Sequence, residues 1–515
     1  MCLAGHQLRV VVARTNMEAP LNTKKVIVEL QPPASLTHFV NAPAKMMASA
    51  VAPDVPDLDP TFEPVALPRL RALPLEAEEQ LKGFGLGVHM QVDAREGTVV
   101  ARADVPAGED PRETYDRLMQ HPAVVGVFAD VTVQPQLICP GSPPLGTHRD
   151  VEQLLGADEL WKRGMDGSGV TVAIVDTGVN MAYLRSRAKN PRFDEAKSWV
   201  PRSGLRPGHL PVGHGTMCAF DACIAAPRCT ILDIALLQSR AGGGTAMEGF
   251  LSDGVRAYAH LLALMQAQVR PGENRSLVVN NSWGMFHPSW DYPVGHPGNY
   301  SDNPNHSFNR ITASLAAEGA DILFAAGNCG ADCPDGRCRG VTTRALYGAN
   351  SHPDVTVVAG VDVRKDRVGY SSIGPGRLER MKPDVSGFTH FAGSGVYSAD
   401  GGTSAATPVV AGVVAALRTR RPFDPADSTT HPSAVRALVT STAEDRGAAG
   451  YDFRYGWGVV DGRALARRAS VPADEYEPPP VEVALPEIDG PTPKEATERR
   501  EVPVALECDC AGVAP

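Results

Sequence analysis

What the chain lacks narrows its class first. Its start, MCLAGHQLRVVVARTN, has no basic stretch followed by roughly 7–15 apolar residues, so no secretory signal is expected there. The longest useful apolar run, PVVAGVVAAL at 408–417, is too short to span a bilayer, and no membrane partner is expected. No basic run or stripe stands out, and a net charge of −10 argues against a nucleic-acid partner. Ten cysteines in 515 residues are too sparse for a disulfide-stapled scaffold. These absences make a cytoplasmic chain with reduced thiols the expectation, with export by an unorthodox route the alternative.

What is present reads as globular. A chain of 515 residues exceeds one ordinary core and implies two or three units, and 43% hydrophobic with 21% charged residues is normal for such a protein. Between about 151 and 468, short apolar runs at 170–175, 232–237, 277–279, 322–326 and 355–361 are bounded by polar residues or glycine. Unbroken apolarity of this kind suits strands covered on both faces. Helical patterns at 250–269, 307–318, 403–420 and 433–445 interleave with them. The rhythm predicts an α/β domain, a doubly wound and mostly parallel sheet flanked by helices.

Residues 1–136 differ. KKVIVELQ, then GVHMQVDAREGTVVARADV as a hairpin, a helical PRETYDRLMQHP and a final strand AVVGVFADVTVQ predict a small α+β unit. A proline-rich stretch at about 50–74 is expected to be irregular. A linker at 137–150 leads into the large domain, and an acidic, proline-rich tail at 469–515 has little to bury and is expected to be disordered.

Four motifs carry the chemistry: Asp176 in VAIVDTG, His214 in GHGT, Asn328 in FAAGN and Ser404 in GGTSAATP. Acyl transfer needs a hydroxyl nucleophile, an imidazole to move its proton, a carboxylate to hold that imidazole, and a donor for the oxyanion. Asp176 and Asn328 each follow a predicted strand, the end at which reactive groups gather in such sheets. Taken singly, each has a plainer reading: a serine N-cap, a packed histidine, a carboxylate capping a turn, an unremarked asparagine. Taken in order, Asp, His, Ser with Asn328 between the last two, the chain resembles the subtilisin-like serine proteases from about 151 to 468.

That resemblance implies a serine endopeptidase acting on a polypeptide substrate, without a cofactor or metal. It makes Ser404 the nucleophile, His214 the general base, Asp176 its orienter and Asn328 the oxyanion donor. Ser282, Trp283 and Gly284 would form one wall of the primary pocket, Ala325, Ala326 and Gly327 the other, and Gly242, Gly243 and Gly244 the second edge clamping an extended peptide. The N-terminal unit resembles the family's propeptide, an intramolecular inhibitor. Cys218 sits where thiol-containing members such as proteinase K carry a cysteine beneath the imidazole. Phe220 stands where the family usually has glycine. The interval between His214 and Leu232 is shorter than in subtilisin, where it includes a calcium-binding loop, so that particular calcium site is not expected here.

Three matters stay open at this level. Residues 285–305 look like an insertion beside the pocket, either shaping specificity or a plain surface loop. Cys329, Cys333 and Cys338 in NCGADCPDGRC allow zinc, a disulfide or free thiols, and free thiols are the expectation. The same triad could serve a precursor-processing protease or a peptide ligase, and a catalytically dead peptide-binding module is the rival from another class.

Overall fold

The structure, a computed structural model, describes residues 24–31, 54–67, 97–135, 143–239, 247–267 and 274–469. The expected Gly242, Gly243, Gly244 edge, the first arm of the N-terminal hairpin, residues 137–142 of the linker and nearly all of the tail lie outside the described residues.

The N-terminal unit comprises β1 (Lys25–Leu30), β2 (Val65–Leu67), β3 (Thr98–Asp104), α1 (Pro111–Met119), β4 (Val124–Ala129) and β5 (Thr132–Pro135). Four of these strands form an antiparallel sheet in the order β2-β3-β1-β4. Helix α1 starts where Asp110 accepts the Arg112 N–H and Pro111 supplies a preset φ with no donor to waste. Two expectations need correction. Residues 65–67, within the stretch expected to be irregular, form an edge strand. The run AVVGVFADVTVQ is not one strand: it breaks at Asp130, and β5 joins a different sheet from β4.

The large part follows as α2 (His148–Leu155), α3 (Ala157–Lys162), β6 (Thr171–Val175), α4 (Met181–Ser186), β7 (Arg192–Phe193), α5 (His214–Ala222) and β8 (Thr230–Ile234). Then come β9 (Gly249–Phe250), α6 (Leu251–Gln266), β10 (Leu277–Asn281), β11 (Trp283–Gly284), α7 (Ser307–Ala317) and β12 (Asp321–Ala325). It ends with β13 (Thr356–Val361), β14 (Val385–Phe388), α8 (Gly402–Arg420), α9 (Pro432–Ser441) and α10 (Gly462–Ala469). Seven strands make one parallel sheet in the order β14-β13-β12-β10-β6-β8-β7.

Both faces of this sheet are buried, and β6 shows how. Val172 and Ile174 join the core beneath α5 and α8, while Ala173 and Val175 join the core beneath α6 and α7. Side chains alternating between two covered faces produce the unbroken apolar runs of the sequence. Strand β14, which reads VSGF, has no such run. Its Gly387 lets α8 approach so closely that a Cβ would lie 2.5 Å from the Ala406 carbonyl oxygen. Among the described residues no helix is long and apolar enough to cross a membrane.

The N-terminal sheet packs on α6 and α7, and its buried residues belong to the same apolar cluster as Tyr258 and Phe308 of those helices. Buried Glu29 accepts from Arg310 Nη1 at 2.5 Å and from the Thr98 hydroxyl. His306 Nε2 donates to the Ala129 carbonyl at 2.9 Å. Residues 285–305 prove to be a second part of this interface: Tyr292 donates to the Pro111 carbonyl at 2.9 Å and stacks on His296, and the Ala129 N–H donates to Gly298.

Helix α8 runs buried through the large part. At its far end Arg418 makes a two-pronged pair with Asp321 at 2.6 and 2.8 Å. Midway it crosses α5 at Gly412, where a Cβ would lie 2.3 Å from the Ala222 carbonyl oxygen. Only glycine permits that approach. Gly412→Ala should therefore destabilise the protein by about 1–3 kcal/mol, as overpacking does. A denaturant midpoint unchanged from wild type would show that the two helices part without cost.

Candidate active site

The DTG and GHGT motifs are built to dock on each other. Asp176 follows β6 directly, and its Oδ1 accepts the Thr177 N–H at 2.7 Å. The Thr177 hydroxyl oxygen accepts the Gly215 N–H at 2.9 Å, and the Thr216 hydroxyl oxygen accepts the Asn180 N–H at 3.0 Å. A Cβ on Gly215 would sit 2.6 Å from the Gly178 carbonyl oxygen, so glycine is required there. This places His214, first residue of α5, with Nδ1 at 2.8 and 3.0 Å from the two Asp176 oxygens. With Nδ1–H donating to the carboxylate, Nε2 is the acceptor nitrogen. It is buried and, among the described residues, has no hydrogen-bond partner.

Ser404 is the third residue of α8, entered through Gly401 and through Gly402 at φ +71°. Pro408 lies in the second turn. A prolyl nitrogen cannot donate to the carbonyl four residues back, which is that of Ser404. This carbonyl is satisfied from outside the helix: the Ser282 hydroxyl donates to it at 3.0 Å, and the Cys218 thiol lies at 3.7 Å. In return the Ser404 hydroxyl donates to the Ser282 carbonyl at 3.1 Å. Cys218 Sγ also lies 3.7 Å from Asp176 Oδ2 and 3.8 Å from His214 Nδ1. Burial, then the Asp176 charge, pushes this thiol well above its ordinary pKa, so it stays protonated and non-nucleophilic.

Asn328, Ala325, Ala326 and Gly327 continue from β12. The Asn328 amide oxygen accepts both the Thr403 N–H at 2.9 Å and the Thr403 hydroxyl at 3.1 Å, which orients the amide group. The same threonine oxygen accepts the Gly327 N–H. Asn350, which no motif pointed to, ties the two candidate pocket walls together: its Nδ2 donates to the Trp283 carbonyl at 2.8 Å and to the Ala325 carbonyl at 2.9 Å.

The cysteine loop departs from expectation. Cys329 and Cys338 form a disulfide, while Cys333 is a half-buried thiol outside it. The bridge closes a loop that begins one residue after Asn328 and folds back on it, with the Asp335 N–H donating to the Asn328 carbonyl at 2.9 Å.

The groove beside these residues is lined by β11 and β9, and β5 of the N-terminal unit lies between them. Pro135 and Gln134 pair antiparallel with Trp283 and Gly284, and Thr132 and Val133 pair with Phe250 and Gly249. Just before β5, the Asp130 carboxylate accepts the Ser252 N–H at 2.9 Å and its hydroxyl at 2.7 Å, capping the start of α6. Burial pushes Asp130 up to about 6, opposed by Arg102 and by the Ser252 bonds.

A buried acid pair stands behind the site. Asp221 on α5 faces Asp400, four residues before Ser404, and among the described residues its oxygens meet no other hydrogen-bond donor. Burial, then the neighbouring Asp400, pushes Asp221 well above its ordinary 3.8, and burial raises Asp400 as well. A carboxyl whose folded pKa is raised holds its proton more tightly when folded. The fold is therefore favoured at low pH, and this advantage is lost as the pH rises above 3.8 towards the folded value. Asp221→Asn removes the titration and keeps the shape. Its melting temperature should rise relative to wild type as the pH increases from mildly acidic to alkaline, with a gap widening by at most about 1.4 kcal/mol per pH unit. A gap independent of pH would show that Asp221 carries no such proton.

The chain is similar to known proteins. The subtilase family profile matches residues 167–458. Subtilisin DY of Bacillus licheniformis is 27% identical over 319 residues, covering 61% of this chain and 97% of that protein. Subtilisin NAT of Bacillus subtilis subsp. natto is 27% identical, covering 60% and 69%. The human membrane-bound transcription factor site-1 protease is 29% identical over 297 residues, which are 52% of this chain but span only 22% of that relative's length. By its profile match and its parallel seven-stranded fold, the chain belongs to the subtilase family of serine-type endopeptidases.

Proposed function

We propose that the chain hydrolyses internal peptide bonds through an acyl-enzyme, with Ser404, His214, Asp176 and Asn328 as its machinery. The observation that carries this reading is the buried imidazole held by both Asp176 oxygens, with its other nitrogen unpartnered and the nucleophile's helix against the same Cys218 sulfur. The Ser404 hydroxyl turns from the Ser282 carbonyl to Nε2, gives up its proton and attacks the substrate carbonyl. Asp176 stabilises the resulting imidazolium. Charge gathers on the carbonyl oxygen, where the Asn328 amide N–H and the Ser404 N–H near the start of α8 donate to it. The C–N bond breaks as His214 returns the proton to the leaving amine, and water repeats the steps to release the acid.

The N-terminal unit is, on this reading, an inhibitor that occupies the groove as a product would. Strand β5 supplies the main-chain pairing that an extended substrate would supply. Asp130 and the shared apolar cluster hold it there. Residues 285–305, which would have to shield the acyl-enzyme from water in a ligase, pack on the N-terminal unit instead.

Two experiments test the proposal. Ser404→Ala should fold normally, take no fluorophosphonate label and retain at most about 10³–10⁴ over uncatalysed hydrolysis. Expressed beside wild type, it should stay full length, whereas wild type should be cut between 133 and 149, nearest Gln136, as read by mass and N-terminal sequencing. Wild type that is active yet uncut would make the unit a permanent accessory domain. Asn328→Ala should lower kcat by roughly 10²–10³ with little change in KM, because its donor meets charge present only in the transition state. A raised KM at unchanged kcat would make Asn328 a binding residue only.

A further inference from the structure

The side chain of Gln134 lies in a purpose-built setting. Its amide oxygen accepts from Arg337 Nη1 at 3.0 Å, and its amide nitrogen donates to Glu248 Oε1 at 2.5 Å. One charged donor and one charged acceptor therefore flank a single carboxamide, whose two ends offer the complementary acceptor and donor. Both flanking side chains are placed by the groove itself. Glu248 immediately precedes β9. Arg337 is gripped on its other edge by Asp335, at 2.9 and 2.8 Å, and its guanidinium lies 3.6 Å from the centroid of the Phe286 ring. The Cys329–Cys338 bridge closes the loop that carries it. One nitrogen of a fixed fork thus faces the position whose backbone pairs with Gly284.

We infer that Glu248 and Arg337 form a specificity subsite that selects glutamine at the substrate position aligned with Gln134. This rests on the reading of the groove as the substrate site of a serine peptidase. A glutamate there would place two carboxylates together, a lysine would face the guanidinium, and a leucine would leave both charged groups without the carboxamide. The selectivity concerns a residue set back from the bond being cut. It would act through the placement of the whole strand, since β5 touches both edges of the groove.

The test uses the active protein obtained by expressing the full chain, with internally quenched peptides reproducing residues 128–143 and Gln, Glu, Lys or Leu at the Gln134 position. Wild type should favour the glutamine peptide by about tenfold in kcat/KM, the scale of a hydrogen bond to a charged group. Glu248→Lys should turn the preference to glutamate, and Arg337→Glu should independently turn it to lysine. A merely structural role would lower all four peptides in parallel, and that outcome, or equal rates in wild type, overturns the subsite. Failure of wild type both to cleave any peptide and to take a fluorophosphonate at Ser404 would instead overturn the peptidase reading beneath it.

Discussion

Backbone meets backbone where α8 crosses α5, and the geometry of the site depends on that contact. The helix that begins with His214 ends at Ala222, whose carbonyl faces Gly412 in the middle of the helix that opens around Ser404. Two rigid rods in contact at one point, each carrying a reactive group at its start, leave little freedom between those groups. The remaining freedom is removed at the rods' ends. Thr177 and Thr216 tie α5 to the end of β6, Ser282 ties the start of α8 to the segment after β10, and Arg418 anchors the far end of α8 to β12. Small and hydroxylated residues dominate the motifs because they serve these close approaches as much as the chemistry.

The N-terminal unit is joined to this frame by contacts of different character. Apolar burial against α6 and α7 supplies area without direction. Direction comes from a few buried polar bonds: Glu29 with Arg310, Ala129 with His306 and Gly298, and Asp130 with Ser252. The last has most consequence for the groove, because the chain turns at Asp130 and enters it two residues later, at Thr132. A helix cap supplied by another unit sets the direction in which β5 departs.

What could be read from the chain alone follows from how local each signal is. The seven-stranded sheet was largely legible because strands covered on both faces must be apolar throughout, as 170–175 and 322–326 are. Its short edge members, β7 and β14, carry no such pattern; half of β14 is serine and glycine, Gly387 admitting α8 and Ser386 donating its hydroxyl to the Tyr455 carbonyl. The four motifs stood out because each packs its own glycine and threonine supports beside the reactive residue. Asn350 did not, since the walls it joins are 67 and 25 positions away. The break at Asp130 escaped for the same reason, its partner Ser252 lying 122 positions on. Pro408 was placed in the right helix, but its effect on the Ser404 carbonyl needed the outside donors to be seen. In NCGADCPDGRC the three cysteines permit more than one pairing, and spacing alone does not choose among them.

The Cys329–Cys338 bridge has a consequence for how the protein responds to its surroundings. It closes a loop with a sequence separation of 9, so its contribution to overall stability through chain entropy is modest, about 2–3 kcal/mol. Its ends are another matter: one adjoins Asn328 and the other adjoins Arg337, whose guanidinium faces the strand in the groove. Opening the bridge would leave both cores intact and loosen the groove's rim. Thiol chemistry in the medium would thereby act on which peptides are accepted, and how fast, while the fold itself persists.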